Sequence, residues 1–248
     1  MTTAIILAGG LGTRLRSVMP DLPKPMAPVM GRPFLAHQMD HWIDQGVRRF
    51  ILAVGYRHEA IAQHFGTRYR AATLEYSVES QPLGTGGALL QAAAQLPGEQ
   101  PVLLLNGDTY FDVPLPALAA RAMQLNAHWC LALFRSADPT RYMGVDIGRD
   151  GRVRSLRAPR APLANGGVIW FRPGALGGIT VETGRPLSLE NDVLPSLLVQ
   201  GQRFAGLELP GAFLDIGVPD DYHRAAGVLP GLPSHVAASQ HHAHAHHH

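Results

Sequence analysis

The chain of 248 residues is 46% hydrophobic and 16% charged, with a formal net charge of +2 and a single cysteine. Its arginines are scattered and form no basic block, which speaks against nucleic acid or an anionic membrane surface as the main partner, and Cys130 has no second thiol for an internal disulfide. No apolar run reaches the ~18 residues of a membrane span, and MTTAIILAGG lacks the basic start and cleavage site of a secretory signal, so a cytoplasmic protein is expected.

The terminal QHHAHAHHH has the composition of an expression tag, and it is set aside with six of the 13 histidines. Residues 1–230 are read as one domain and 231–248 as a disordered tail. The first predicted strand is TAIILAG (3–9). A helix follows in RPFLAHQMDHWIDQG, where Leu35, Met39, Trp42 and Ile43 share one face, and then a strand in RRFILAVG (48–55). The βαβ rhythm continues with a helix near 57–65, a strand TLEYSV (73–78) and a helix from about Gly87 to Leu96. PVLLLNGD is continuously apolar, which predicts the buried centre of a parallel sheet. After about residue 126 short strands come in quick succession, in HWCLALFR, GVDIG, RVRSL and NGGVIWFR, and predict an appended antiparallel subregion. RSLRAPRAPLANGG reads as a mobile loop. A helix near 189–200, a strand RFAGLEL, and FLDIG leading into a last short helix complete the pattern, with Asp220 and Asp221 suited to that helix's N-terminal dipole.

The chemistry begins at the end of the first strand, in AGGLGTRL (8–15). A glycine-rich turn at the carboxyl end of the first strand of an α/β sheet lets backbone N–H groups surround phosphates. It is not a Walker loop, since no lysine closes it. It is not a dinucleotide fingerprint either, because the sixth position from Gly10 is Leu15. Twenty of the 21 cationic residues are arginine, and the one lysine, Lys24, lies in PKP, ten residues after Arg14. Asp108 in LLLNGDTYF ends the apolar central strand, where a carboxylate is well placed to hold Mg²⁺ between phosphates. NGD is equally an ordinary turn. Asp215 ends another apolar run, in FLDIGVPDDY.

GGLGTR followed by PKP resembles the signature of the sugar-1-phosphate nucleotidylyltransferases. The resemblance spans about residues 3–226 and implies a Rossmann-like, GT-A-like three-layer α/β sandwich, with a central mixed, mainly parallel sheet and a small antiparallel sugar-binding subregion. It implies that Arg14 and Lys24 are catalytic, Arg14 at the β and γ phosphates and Lys24 near the α-phosphate and the incoming sugar phosphate. Asp108 and Asp215 would bind Mg²⁺. Leu7, Ala8, Gly9, Gly10, Gly12 and Thr13 would hold the nucleotide, joined by Glu79, Gly84 and Thr85 of ESQPLGTGGAL. Asn106, Gly144, Asn165, Gly166 and Glu190 would line the sugar pocket.

An ionised Glu79 can only accept hydrogen bonds, which favours guanine, with its adjacent N1–H and N2–H₂ donors, over uracil or thymine. Two departures stand out. Met143 replaces the glycine that usually follows Tyr142, and LRAPRAP stands where a Glu-Lys pair is common; Arg157 and Arg160 are either cations for the sugar phosphate or solvated loop residues. Within the superfamily, AIILAGGLGTRLRSVMPDLPKPMAPV, QPLGTGGAL and LDIGVPDDY look most similar to the D-glycero-α-D-manno-heptose-1-phosphate guanylyltransferases, which make GDP-heptose for capsule or other surface glycans.

The partners implied are GTP and a sugar 1-phosphate, with a homo-oligomer compatible. The alternatives are transfer to mannose 1-phosphate by GTP, transfer to an amino-sugar or muramate phosphate by UTP, and a non-catalytic sensor of nucleotide sugars. A dinucleotide-dependent oxidoreductase is disfavoured by the incomplete fingerprint. His37, His41, His58 and His64 fall on predicted helices and are expected at the surface.

Overall fold

The first half of the chain runs, in order, β1 (Thr3–Leu7), a ribbon of β2 (Pro28–Val29) and β3 (Arg32–Pro33), α1 (Phe34–Ile43), β4 (Arg49–Val54), α2 (His58–Phe65), β5 (Arg68–Tyr69), β6 (Ala72–Val78), α3 (Gly84–Ala93) and β7 (Val102–Asn106). Then come β8 (Thr109–Phe111), α4 (Leu115–Gln124), β9 (Trp129–Arg135), β10 (Asp146–Ile147), β11 (Val153–Ser155), β12 (Leu163–Phe171), α5 (Leu194–Val199), β13 (Phe204–Glu208), β14 (Phe213–Asp215) and α6 (Pro219–Val228). The structure, a computed structural model, describes residues 3–9, 22–55, 57–138, 140–181 and 184–230.

Eight strands form one sheet in the order β13-β9-β12-β7-β1-β4-β6-β5. β1 is parallel to both β4 and β7, β4 to β6, and β9 to β13, while β12 runs antiparallel to β7 and β9. The period-2 alternation of strand side chains divides the core in two. Ile6, Leu103 and Leu105 face one layer with Leu35, Met39 and Trp42 of α1, Ile61 of α2 and Leu118 of α4. Ile5, Val102 and Leu104 face the other with Ala88 and Leu89 of α3 and Leu194 and Leu197 of α5. This is the three-layer, mainly parallel arrangement expected. From β1 the chain moves outward through β4 to β6, then returns to β1's other side as β7. The carboxyl ends of β1 and β7 lie side by side, at the end of the sheet where open α/β folds hold ligands.

The structure departs from the sequence reading in four places. β9 and β12 belong to the central sheet, every residue of β12 being buried. Of the strands expected in that subregion, β10 and β11 stand apart as a ribbon, which covers the sheet edge through the Gly206 N–H to Gly151 carbonyl bond at 2.9 Å. α4 and β8 went unpredicted. α3 begins at Gly84, three residues before its expected start. The 189–200 helix opens with a π-helical turn over Leu189–Val193. Ser188 caps that turn: its side chain accepts from the Asn191 amide, while the Ser188 amide donates to Asp192 at 2.8 Å. β8 and β14 pair antiparallel, and with α6 they cover a small third core of Phe34, Tyr110, Leu214, Ile216 and Ala225.

Candidate functional site

The ends of β1, β4 and β6 converge on Glu79. A Cβ placed on Gly9 would lie 3.2 Å from Glu79 Oε1, and one on Gly55 would lie 3.6 Å from Oε2. Glycine at both positions leaves the carboxylate against bare backbone. The Leu83 amide donates to Oε2 at 3.3 Å. Burial pushes the Glu79 carboxyl above its ordinary range, and the Leu83 bond works against that shift. Leu7 and Ala8 are tied into the sheet end, Ala8 N–H donating to the Ala53 carbonyl and the Leu7 carbonyl accepting from Gly107 N–H. Gly107 has no room for a side chain, because any Cβ would collide with Leu7.

Gly84 has φ +74 and faces the Leu187 carbonyl so closely that a Cβ could not fit. Next to it, Gly86 N–H donates to that same carbonyl at 2.7 Å, and Thr85 Oγ1 accepts from Leu189 N–H at 2.7 Å. The start of α3, expected to meet the nucleotide, is thus bonded to the segment carrying Glu190. The sequence reading aimed the Thr85 side chain at a base; the structure spends one of its lone pairs on Leu189 and leaves its O–H to donate.

The second half of the site gathers at Gly217. A Cβ there would sit 3.0 Å from Asp215 Oδ1, 3.2 Å from Lys24 Nζ and 3.7 Å from Asp108 Oδ2. Lys24 is presented by a tight 3-10 turn, Lys24–Met26, flanked by Pro23 and containing Pro25, with Ala27 N–H donating to the Lys24 carbonyl at 3.0 Å. Its ammonium pairs with Asp108 Oδ2 at 3.3 Å, and the two side chains are 20% and 36% exposed. Asp215 is buried; its Oδ1 accepts from Gly217 N–H at 2.9 Å and its Oδ2 from Tyr142 O–H at 3.2 Å. Asp221, in the first turn of α6, accepts from Asp215 N–H at 3.0 Å and pairs with Arg224. The two carboxylates beside this glycine-made gap would suit a hard divalent cation, since such ions take one or two carboxylates and draw their other ligands from substrate and water, while the ammonium suits an anion.

Of the residues expected to line a sugar pocket, Asn165 is buried, its Nδ2 donating to Glu190 Oε1 at 3.1 Å and its Oδ1 accepting from Gly167 N–H at 3.1 Å. Burial pushes the Glu190 carboxyl up, Asn165 opposes this, and the charge of Asp108 adds to it, which places Glu190 within electrostatic reach of Asp108. β12 bulges between Asn165 and Ile169, where Gly166 lies flat against the Phe111 ring and Gly167, at φ +76, has the Asn106 and Thr109 side chains beside it. Gly144 packs on the Ala158 carbonyl with no space for a side chain and bridges Ala164.

Gly10, Gly12, Thr13 and Arg14 lie outside the described residues. Arg157 donates to the Asn191 carbonyl, and Arg160 is exposed with φ +66. Among the described residues no cluster of three or more His, Cys, Asp or Glu forms a ready-made metal site.

Two histidines correct the sequence reading. His37 is buried, with Nε2 2.8 Å from the Val29 carbonyl, and His41 is largely covered against the Val113 carbonyl. Burial lowers the pKa of both. The reason is that α1 is packed on more than one side: every residue of it but His41 is buried. His64 is exposed as expected. Two side chains in the site went unread. Tyr142 stands in a segment that was singled out but not for its hydroxyl. Gln38, bonded to the Asn106 and Thr109 carbonyls, reads in sequence as an ordinary polar residue of a helix.

The chain is 40% identical over 229 residues, 91% of its length and 97% of the relative's, to the D-glycero-alpha-D-manno-heptose 1-phosphate guanylyltransferase of Aneurinibacillus thermoaerophilus. It is 35% identical over 223 residues to the protein of the same name from Campylobacter jejuni, covering 89% and 96% of the two chains. Its fold matches the crystal structure of HddC from Yersinia pseudotuberculosis complexed with GMP-PN with a TM-score of 0.78 and 31% identity, over 92% of this chain and 99% of that one. With the nucleotidyl transferase family's model matching residues 3–229, the chain belongs to that family.

Proposed function

We propose that the protein transfers GMP from GTP to D-glycero-α-D-manno-heptose 1-phosphate, giving GDP-heptose and pyrophosphate, in the cytoplasm and for capsule or other surface glycan synthesis. A nucleotide and a sugar phosphate are substrates that fit the family. The observation that carries the reading is the meeting of Lys24, Asp108 and Asp215 around Gly217, beyond the carboxyl end of β7. The finer choice of GTP and of a heptose rests on the relatives' names and on Glu79.

In this reading a phosphate oxygen of the sugar 1-phosphate attacks the α-phosphorus of GTP in line. A phosphate monoester with a second pKa of about 6 is largely dianionic at neutral pH, so no general base is needed. Lys24 neutralises charge on the phosphate as it passes between partners. The glycine loop, with Gly9, Gly10, Gly12 and Thr13, holds the triphosphate by its amides, and Arg14 meets the β and γ phosphates. Asp108 and Asp215 would hold Mg²⁺, which supplies charge neutralisation to the phosphates when bound. Glu79 accepts from the guanine N1–H and N2–H₂ edge. Asn165 and Glu190, hydrogen-bonded to one another, present acceptors and donors to sugar hydroxyls beside Gly144 and Gly166.

The test measures pyrophosphate release over the four nucleoside triphosphates crossed with heptose, mannose and amino-sugar 1-phosphates, with both heptose anomers included. The highest kcat/KM is expected for GTP with the α-anomer of heptose 1-phosphate. Faster turnover with mannose 1-phosphate, or with UTP, would replace this reading by that substrate pair.

A further inference from the structure

Gln38, in the middle of α1, is only 4% exposed. Its Nε2 donates to the Asn106 carbonyl at 2.6 Å and to the Thr109 carbonyl at 3.1 Å. The two acceptors bracket the turn that carries Asp108. Chemistry fixes the orientation of this amide, because turning it over would set Oε1 against two carbonyl oxygens. In the orientation kept, Oε1 is buried with no hydrogen-bond partner among the described residues. A buried acceptor left unpaired costs free energy, so an apolar side chain of similar size would suit the interior of α1 better. What the glutamine alone provides is the pair of bonds to the turn.

That turn governs more than Asp108. Thr109 opens β8 and is the residue paired with Asp215 of β14. The Asp108 carbonyl accepts from the Ile216 amide at 2.9 Å. Any shift of the 106–109 backbone is therefore passed to both carboxylates. We propose that Gln38 is a positioning residue for this pair: by spanning the Asn106 and Thr109 carbonyls it sets the separation of Asp108 and Asp215, and so the affinity for the divalent cation. The proposal rests on the reading of Asp108 and Asp215 as the metal-holding pair.

Gln45, just past the end of α1, supplies the control. It makes bonds of the same kind to backbone away from the carboxylates, donating to the Val113 carbonyl at 2.8 Å and accepting from the Leu115 amide at 2.6 Å. The experiment titrates Mn²⁺ into the whole protein and its Gln38→Met, Gln38→Asn and Gln45→Met variants. GTP is present and sugar phosphate absent, and free Mn²⁺ is followed by its paramagnetic resonance signal. Loss of such a supporting hydrogen bond costs roughly 10- to 100-fold in metal affinity, and Gln38→Met is expected to weaken Mn²⁺ binding within that range. Gln38→Asn, one methylene too short to reach both carbonyls, should weaken it in the same direction, and it decides the matter if Gln38→Met does not fold. Gln45→Met should lower the unfolding midpoint while leaving Mn²⁺ binding unchanged. Unchanged binding in the Gln38 variants overturns the proposal, and so does equal weakening by Gln45→Met. If the wild-type protein takes up no Mn²⁺ with GTP, the assignment of the carboxylate pair has failed first.

Discussion

Lys24 is the one ammonium side chain in a sequence with 20 arginines. An ammonium is a compact charge with three rotatable donors, whereas a guanidinium is a wide planar fork suited to a fixed bidentate partner. The Lys24 ammonium lies 3.2 Å from where a Gly217 Cβ would be and 3.3 Å from Asp108 Oδ2, inside the gap the glycine leaves. Lys24→Arg is therefore expected to lower kcat by about a hundredfold or more, the scale set by losing one well-aimed charge-stabilising donor. The unfolding midpoint should hardly move, since the proline-flanked turn that carries it is unaltered. A variant with near-normal kcat would mean that Lys24 does not follow the transferred phosphate. Glu190 gives a prediction of the opposite kind. Its carboxyl is pushed above its ordinary value of 4.5, first by burial. A raised folded-state pKa means the native state holds the proton more tightly than the unfolded chain. The contribution to stability is then full below the unfolded value and is lost as pH rises through the folded one. Glu190→Gln keeps an acceptor for Asn165 without the charge. It should be more heat-stable than the wild type at pH 7.5, lose that advantage as pH falls toward 4.5, and turn over more slowly throughout. Thermal scans across that range check the sign, and a fixed difference at all pH values would count against it.

At the scale of elements, the site is held by segments that are far apart in sequence and bonded to one another. The start of α3 leans on Leu187 through Gly84 and Gly86, and Thr85 ties it to Leu189, so the halves proposed to hold nucleotide and sugar share one backbone junction. Gly84→Ala would place a Cβ at positive φ and into the Leu187 carbonyl at once. It is expected to destabilise by at least ~2 kcal/mol and to raise KM for both substrates together; a rise confined to one would show the two halves to be independent. This junction was invisible in the sequence, where QPLGTGGAL reads as a turn and a helix start. What was legible came from burial. TAIILAG, RRFILAVG and PVLLLNGD are apolar because both faces of their strands are covered, and a glycine stands at the end of each, with Asp108 after the third, at the end of the sheet where such folds hold ligands. An apolar run does not say which strand lies beside it, however, and so β9 and β12 were set in a separate subregion instead of the main sheet. α4 was passed over because its first turn holds Pro116 behind Pro114, and β8 because three residues directly after a turn carry no periodicity. Gln38 had no signal at all, since its role is defined only by the two carbonyls it reaches.

The molecule as a whole brings the central sheet, the β8–β14 pair and α6 to one place. Asp108 follows the central strand β7, Asp215 ends β14 on the small third core, and Lys24 comes from the segment between β1 and α1. A cation and a triphosphate seated among them would add to the links these parts already have, the β8–β14 backbone bonds and the Lys24–Asp108 pair. A ligand that binds only the native state stabilises it by about 2.7 kcal/mol at a hundredfold excess over Kd. For a chain of this size that corresponds to a rise in Tm of roughly 5–10 °C. GTP with Mg²⁺, in the absence of sugar phosphate, is expected to produce a shift on that scale, and chelation of the metal should remove most of it. UTP with Mg²⁺ should give a smaller shift, because uracil flanks its single donor with carbonyls that face the Glu79 carboxylate. The two comparisons separate causes that a single measurement would confound. If chelation leaves the GTP shift intact, the triphosphate is held by amides and cations alone and the two carboxylates have another purpose. If GTP and UTP shift Tm equally while chelation abolishes both, the phosphate and metal halves stand and the base-reading role of Glu79 falls.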